Sequence, residues 1–348
     1  MPTHAMPGSA HPTRALFSDA RPVPDIPCID HYAGSEKLIA KALALQATLG
    51  PVFDVTGDCE DGARAGAEAE HAEMVAHMAA SEDNRHGRFG ARIHDITHPH
   101  WQRDLEILLA GAGERLAFIT LPKARSAADV RTQIEFTGML KTRLGLIRNI
   151  PFHVLIETHG ALREVWDIAA LPSVESLDFG LMDFVSAHQG AIMASAMRSP
   201  EQFAHPLVVR AKSEIVAAAI ANGRIPAHNV CTELHDRELI REDARIARQR
   251  FGFLRMWSIH PNQIEPILEA MRPDFSEIAV ASEILFSAQD ADWGPIAHAG
   301  RLHDRASYRY YWTLLCRARS TGMALPAEAL TRFFDTSGPA ATATCGES

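Results

Sequence analysis

Two short stretches hold the residue types best suited to chemistry, Ile156-Glu157-Thr158-His159-Gly160 and Gly180-Leu181-Met182-Asp183-Phe184. Each sets a carboxylate directly after a short apolar run, Phe152 to Ile156 in the first and Leu177 to Gly180 in the second. A strand that ends in an acid and passes into a helix presents that acid at the carboxyl edge of a sheet, where α/β proteins keep their ligands. Glu157 and Asp183 lie 26 residues apart, about one strand-helix unit, so neighbouring strands would aim both at one point. Two convergent carboxylates suit a hard divalent cation such as Mg²⁺, which prefers oxygen and keeps waters for a substrate. Glu157 and Asp183 are therefore the expected metal ligands, with Mn²⁺ an acceptable substitute.

Other polar residues fall in phase with this pair. Glu60 and Asp61, Arg92, Lys123, Glu157, Asp183 and His260 all stand at the ends of expected strands, and the steps from Glu60 to Asp183 are 32, 31, 34 and 26 residues. In a closed barrel such positions face one mouth. Arg92 offers a planar, permanently charged fork suited to a carboxylate or a developing enolate oxygen. Asp58, Glu60 and Asp61 would hold metal-bound waters or orient Arg92. Lys123, after Pro122, is either a second cation beside the oxyanion or a structural partner of Glu60. Asp58 and His260 join Arg92 as candidates for substrate contact. His94, His98 and His100 read as a solvated loop rather than a metal site, and Cys59, among carboxylates, as packing.

The elements that must position these residues alternate regularly. Strands are expected at Pro27–Tyr32, Pro51–Thr56, Phe89–Ile93, Leu116–Leu121, Phe152–Ile156, the run carrying Asp183, Pro226–Cys231 and Phe253–Ile259. Helices are expected between them, over Ser35–Thr48, Ala63–Ala80, Trp101–Ala110, Ala127–Leu144, Leu162–Ala170, Pro206–Ala221, Arg237–Phe251 and Asn262–Met271. Eight such repeats are the pattern of a (β/α)₈ TIM barrel spanning 21–272. Residues 273–336 read as a helical lid or oligomerisation arm, while 1–20 and 337–348 read as loose tails. The Ser307–Trp312 stretch suggests helix packing or an intersubunit contact.

Bulk composition narrows the class. A formal net charge of −9 disfavours nucleic acid, which needs a basic face. No apolar run reaches the roughly 18–20 residues of a membrane helix. Five scattered cysteines without a CxxC pair point to a reducing, cytoplasmic setting rather than a disulfide framework.

Read together, Asp58-Cys59-Glu60-Asp61-Gly62, Arg92, Leu121-Pro122-Lys123, Ile156-Glu157-Thr158, Gly180–Phe184 and Ile259-His260-Pro261-Asn262-Gln263-Ile264 resemble the citrate lyase β-subunit and malyl-CoA lyase group of the HpcH/HpaI aldolase superfamily, in the same order. The resemblance implies a Mg²⁺-dependent carbon–carbon lyase, assembled as a homotrimer or homohexamer, with metal on Glu157 and Asp183 and substrate oxygen on Arg92. It implies a cation that chelates a 2-oxo acid while an enolate forms on the other fragment. It also implies an acid or base from a neighbouring subunit's C-terminal arm, for which Leu302-His303-Asp304-Arg305 offers Asp304.

The chain departs from that pattern where a coenzyme A thioester would lie. Cys28–Gly34 lacks the family's arginine, Glu68, Glu70 and Glu73 stand where basic residues are usual, His94 replaces an asparagine, and Arg125 replaces an acid. The expected activity is cleavage or formation of a hydroxy-dicarboxylate or its CoA thioester. The first alternative is a CoA-independent 2-oxo acid aldolase. The second, from another class, is a non-catalytic barrel subunit of a larger complex.

Overall fold

The computed structural model describes residues 10–17, 24–62 and 66–334. Eight parallel strands close into a barrel: β1 (Ile29–Ala33), β2 (Asp54–Asp58), β3 (Phe89–Arg92), β4 (Leu116–Leu121), β5 (Phe152–Ile156), β6 (Val174–Phe179), β7 (Ile225–His228) and β8 (Arg255–Ser258). Neighbours in sequence are neighbours in space, and β8 pairs back onto β1 with Asp30 opposite Trp257. Both faces of nearly every strand are buried, as a parallel sheet wrapped by helices requires. This is the expected TIM barrel, and its compact unit runs from Pro27 to Met271.

Boundaries differ from expectation where polar residues belong to the barrel. β2 begins three residues later than expected and continues past Thr56 to Asp58, because Asp58 finds a partner there. Thr56 donates to Asp30 at 2.6 Å, and Asp58 pairs with Arg92 of β3. β6 stops at Phe179, so Asp183 lies in the first turn of the helix Leu181–Ala187 rather than on the strand. The expected helix Leu162–Ala170 is preceded by a short one, His159–Arg163, whose N-cap Thr158 accepts from the Ala161 amide, and itself covers Val165–Ala170.

Charge fills the barrel's interior. Arg255 lies 2.6 Å from Asp54 and 2.9 Å from Asp30, Arg88 pairs with Asp54 at 2.6 Å, and the His153 ring stacks on Phe118 at 3.9 Å. Burial would lower the His153 pKa, but its carboxylate neighbours Asp30 and Glu175 carry it up to about 9. Asp30 is held at about 2, its burial outweighed by Arg255 and His153. Closer to the carboxyl edge, Trp257 donates to Asp178 at 3.2 Å, Tyr32 stacks on Trp257 at 4.6 Å, and the Arg92 guanidinium lies 5.4 Å above the Tyr32 ring. The barrel core thus forms a floor beneath Arg92.

The second compact unit combines the described N-terminal residues with those from Arg272 onward. Its helices Phe275–Asp290 and Arg305–Ser320 share an apolar cluster that includes Ile284, Leu285, Tyr308, Trp312 and Leu315. Two features differ from a loose tail plus an all-helical arm. Pro12–Leu16 is a helix whose Leu16 is buried in that cluster, fastened by Arg309 donating to the Leu16 carbonyl at 2.8 Å. A hairpin of β9 (Ile296–His298) and β10 (Arg301–His303) interrupts the helices, turning at Ala299 and Gly300, which take positive φ. Tyr308 and Trp312 pack inside this unit, the first of the two roles expected for that stretch. The segments 1–9, 18–20 and 337–348 of the expected tails lie outside the described residues.

Candidate active site

At the carboxyl edge of β5, Glu157 projects from the end of the apolar strand and is only 2% exposed. Its Oε1 accepts the Lys123 amide at 2.6 Å. Lys123 reaches that position with φ at 48°, in the left-handed region that side-chain-bearing residues seldom occupy. The neighbouring turn is cut to fit the same carboxyl group: a Cβ on Gly180 would sit 2.0 Å from Glu157 Oε2. Only glycine lets the chain leave β6, pass the Glu157 carboxylate and enter the helix that carries Asp183.

Glu157 and Asp183 then line one cleft of about 360 Å³ with Asp95, Thr97, Lys123, Arg125, Thr158, Ser186 and Ala187. Burial, reinforced by the Asp183 charge, pushes the Glu157 pKa up to about 8. A buried carboxyl that resists ionisation beside a second carboxylate is stabilised by a dication. The surrounding hydroxyls and carboxylates supply oxygen alone, the donor type that Mg²⁺ takes. The residues present fit the ion.

A second cluster adjoins the first. Arg92 is 8% exposed, and its fork grips Asp58 through Nε at 2.7 Å and Nη2 at 2.6 Å, while Nη1 lies 3.1 Å from Glu60. Asp58 also accepts from the amides of Glu60 at 3.0 Å and Gly62 at 2.8 Å, which fixes the acidic turn. Burial alone would raise the Asp58 carboxyl, and Arg92 overrides it and holds the pKa below the ordinary value. Glu60 is raised by burial, against the pull of Arg92 and Lys123. The Lys123 ammonium contacts Glu60 and lies 3.0 Å from both Asp61 oxygens. The contact is the one the structural partnership with Glu60 calls for; against its burial, those carboxylates raise its pKa.

The remaining expected residues make local bonds. His260 follows β8 and caps the turn Pro261–Gln263, its Nδ1 accepting from Asn262 at 3.2 Å, so its described bonds are local. Asp304 belongs to the second unit and caps Arg305–Ser320, its side chain accepting from Ala306 at 3.0 Å. Cys59 is buried, with its thiol pushed up chiefly by that burial. The histidine loop departs from the solvated reading. His94 is buried, bonds Asp104 at 2.6 Å and stacks on His98 at 4.0 Å, because a buried carboxylate on the next helix draws the ring inward.

Sequence reasoning passes over Asp95, Thr97, Thr158 and Ser186 as cleft residues, and takes Arg125 only as a departure from a pattern. A signal exists for the hydroxyls, since Thr158 and Ser186 stand next to or near the two acids. For Asp95 and Arg125 the signal is weaker, being position in the loops after β3 and β4.

Within the barrel, Asp30, His153 and Asp178 also bring ligand-type atoms within 4.8 Å of one another. That group is already balanced by Arg255, 2.9 Å from Asp30, and one of its three donors is an imidazole nitrogen, which Mg²⁺ does not favour. The carboxyl-edge pair is the better cation site.

A model of the HpcH/HpaI aldolase/citrate lyase family matches residues 42–261. The L-malyl-CoA/beta-methylmalyl-CoA lyase of Cereibacter sphaeroides is 30% identical over 231 residues, covering 63% of this chain and 72% of that protein. The crystal structure of a citrate lyase from Burkholderia xenovorans LB400 is 54% identical with a TM-score of 0.82, over 93% of this chain and 100% of that one. CitE from Mycobacterium tuberculosis, in complex with magnesium, acetoacetate and coenzyme A, is 25% identical with a TM-score of 0.63, over 84% of this chain and 98% of that one. The motifs, the barrel that carries them and the matched span agree, and the chain belongs to the HpcH/HpaI aldolase/citrate lyase family.

Proposed function

We propose that this protein is a Mg²⁺-dependent carbon–carbon lyase acting on a small hydroxy-dicarboxylate or its CoA thioester, with Mn²⁺ able to substitute for Mg²⁺. The observation that carries the reading is the Glu157–Asp183 pair on one cleft, with the Glu157 carboxyl held near pKa 8 until a cation replaces its proton. Relatives support it: one is named for L-malyl-CoA, and another is bound to magnesium and coenzyme A.

Bound there, Mg²⁺ would act as a Lewis acid on the 2-oxo acid fragment. The chain's own residues do the rest. Glu157 and Asp183 hold the ion. Asp58 and Glu60 fix the Arg92 fork, which still has N–H donors beyond the three they engage for an oxygen that gains charge as the bond breaks. Lys123 anchors Glu60 and Asp61 and, through its amide, the Glu157 carboxylate. Asp304 is assigned the acid or base role across a subunit interface, in a homotrimer or homohexamer.

The test is direct. Purified protein with Mg²⁺ should cleave malyl-CoA or a 4-hydroxy-2-oxo acid unaided, and Asp183→Asn should abolish both turnover and Mg²⁺ binding with the fold intact. Activity of that variant within about tenfold of wild type, under about 1.4 kcal/mol, removes the metal assignment. Absence of any cleavage by the wild-type protein would favour the non-catalytic subunit. The CoA-independent aldolase is kept as a second reading because acids replace basic residues at Glu68, Glu70 and Glu73. Calorimetry with acetyl-CoA in the presence of Mg²⁺ and glyoxylate separates the two, since the free-acid enzyme gives no heat.

A further inference from the structure

Arg125 and Lys123 are the two cations among the residues lining the cleft, and they are committed differently. The Lys123 ammonium is engaged by Glu60 and Asp61. Arg125 is tethered by one carboxylate oxygen: Asp129 Oδ2 lies 3.1 Å from its Nε and 3.2 Å from its amide. That tether uses the stem side of the guanidinium. Among the described residues, no carboxylate is bonded to its two terminal nitrogens, and its side chain is 59% exposed.

The loop that carries Arg125 is firmly seated. Its carbonyl oxygen lies where a Cβ on Gly160 would come within 1.9 Å, so only glycine at 160 lets the helix His159–Arg163 touch this loop. Next to it, Thr158 donates to the Ala124 carbonyl at 2.6 Å and Ser126 caps the helix Ala127–Leu144 through Asp129. Arg125 is therefore held at the rim of the cleft by its backbone on one side and Asp129 on the other, with an open fork.

Charge in the cleft points the same way. Its lining holds three carboxylates, Asp95, Glu157 and Asp183, against two cations. A dication on Glu157 and Asp183 neutralises that pair, and with the Lys123 ammonium committed to Glu60 and Asp61, Arg125 is the cation at the rim whose terminal nitrogens stay open among the described residues. An exposed lysine in that place would offer a point charge, whereas a guanidinium offers two parallel N–H donors matched to a carboxylate.

We propose that Arg125 binds the distal carboxylate of the substrate, so that the cleft selects 2-oxo and hydroxy acids carrying a second carboxylate beyond the one placed at the cation. The inference rests on the proposed metal-dependent site and names its substrate class. Arg125 is a specificity residue: it leaves the cation and the reacting carbons to Glu157, Asp183 and Arg92.

Calorimetric titration in saturating Mg²⁺ tests it, with pyruvate and 2-oxobutyrate as monocarboxylates and oxaloacetate and 2-oxoglutarate as dicarboxylates. The wild-type protein should bind a dicarboxylate roughly tenfold more tightly than its monocarboxylate partner, the size expected of a charge-assisted pair that stays partly solvated. Arg125→Gln should erase that preference while leaving monocarboxylate affinity within about twofold, and Arg125→Lys should restore part of it. A wild-type protein with no dicarboxylate preference, or an Arg125→Gln variant that keeps it, overturns the proposal while the metal site stands. So does loss of coenzyme A affinity in Arg125→Gln with the dicarboxylate preference intact, because the guanidinium would then serve a phosphate. Wild-type protein that binds neither any of the four acids nor glyoxylate with Mg²⁺ overturns the proposed function itself.

Discussion

Replacing Glu157 with glutamine exposes the energetics of the site in a single substitution. The wild-type carboxyl has its pKa raised from 4.5 to about 8 by burial and by Asp183. A native state that holds a proton more tightly than the unfolded chain loses stability as pH rises between those two values, and is flat beyond them. At 1.36 kcal/mol per unit, the metal-free protein forfeits on the order of 4–5 kcal/mol between pH 4.5 and 8. The substituted carboxamide is neutral, nearly isosteric and still able to accept the Lys123 amide, so the variant escapes that loss. Thermal or urea unfolding without metal should show Glu157→Gln equal to wild type near pH 4.5 and more stable by several kcal/mol at pH 8.5. His153, with its pKa at about 9, adds a separate loss as pH rises from 6.5 through 9, but it is common to both proteins and cancels in the comparison.

Mg²⁺ should reverse the ranking at high pH. It stabilises wild type by mass action, and it does nothing for the variant. Wild-type Mg²⁺ affinity should fall about tenfold per unit below pH 8, with nearly one proton released per ion bound near pH 6.5, read by calorimetry in two buffers of different ionisation enthalpy. A stability difference between wild type and Glu157→Gln that stays constant from pH 5 to 9, or a Mg²⁺ affinity equal at pH 6.5 and 8.5, would refute the reasoning.

Other substitutions probe neighbouring parts. Gly180→Ala drives a methyl into Glu157 Oε2, so Mg²⁺ titration should show affinity reduced at least tenfold, with a stability loss of about 1–3 kcal/mol. Arg92→Lys breaks the two-pronged grip on Asp58 and should cost about 2–4 kcal/mol in urea unfolding and most of kcat, because a buried carboxylate loses its fitted partner. Asp304→Asn keeps the helix cap, so unfolding should be nearly unchanged while kcat falls if the residue serves as acid or base; Asp304→Ala adds about 1 kcal/mol of destabilisation from the lost cap. An Asp304→Asn enzyme with wild-type kcat removes that role.

Much of this molecule follows from local pattern. The β4 and β5 runs, Leu116–Leu121 and Phe152–Ile156, are apolar segments broken only by Thr120 and His153, and near-continuous apolar runs between helices say parallel sheet without reference to anything distant. The phase of Glu60, Arg92, Lys123 and Glu157 with that repeat marks one barrel mouth, since strand-end position is set by chain spacing alone. Local pattern fails where a residue's place depends on a partner far along the chain. It ends β2 at Thr56, because Gly57 and Asp58 look like loop residues until Arg92 meets Asp58 from the neighbouring strand. It sets Asp183 on a strand, yet the Glu157 carboxyl beside Gly180 turns the chain into a helix first.

The sequence by itself determined the barrel, the mouth and the acids that stand there, because each of these is a matter of period and residue type. Tertiary structure alone decided how those groups are spent. It committed Lys123 to Glu60 and Asp61, folded His94 onto Asp104, loaded the barrel's interior with balanced charge and left the Arg125 fork open. Pairing energies depend on distance and burial, and neither is written in the order of residues along the chain.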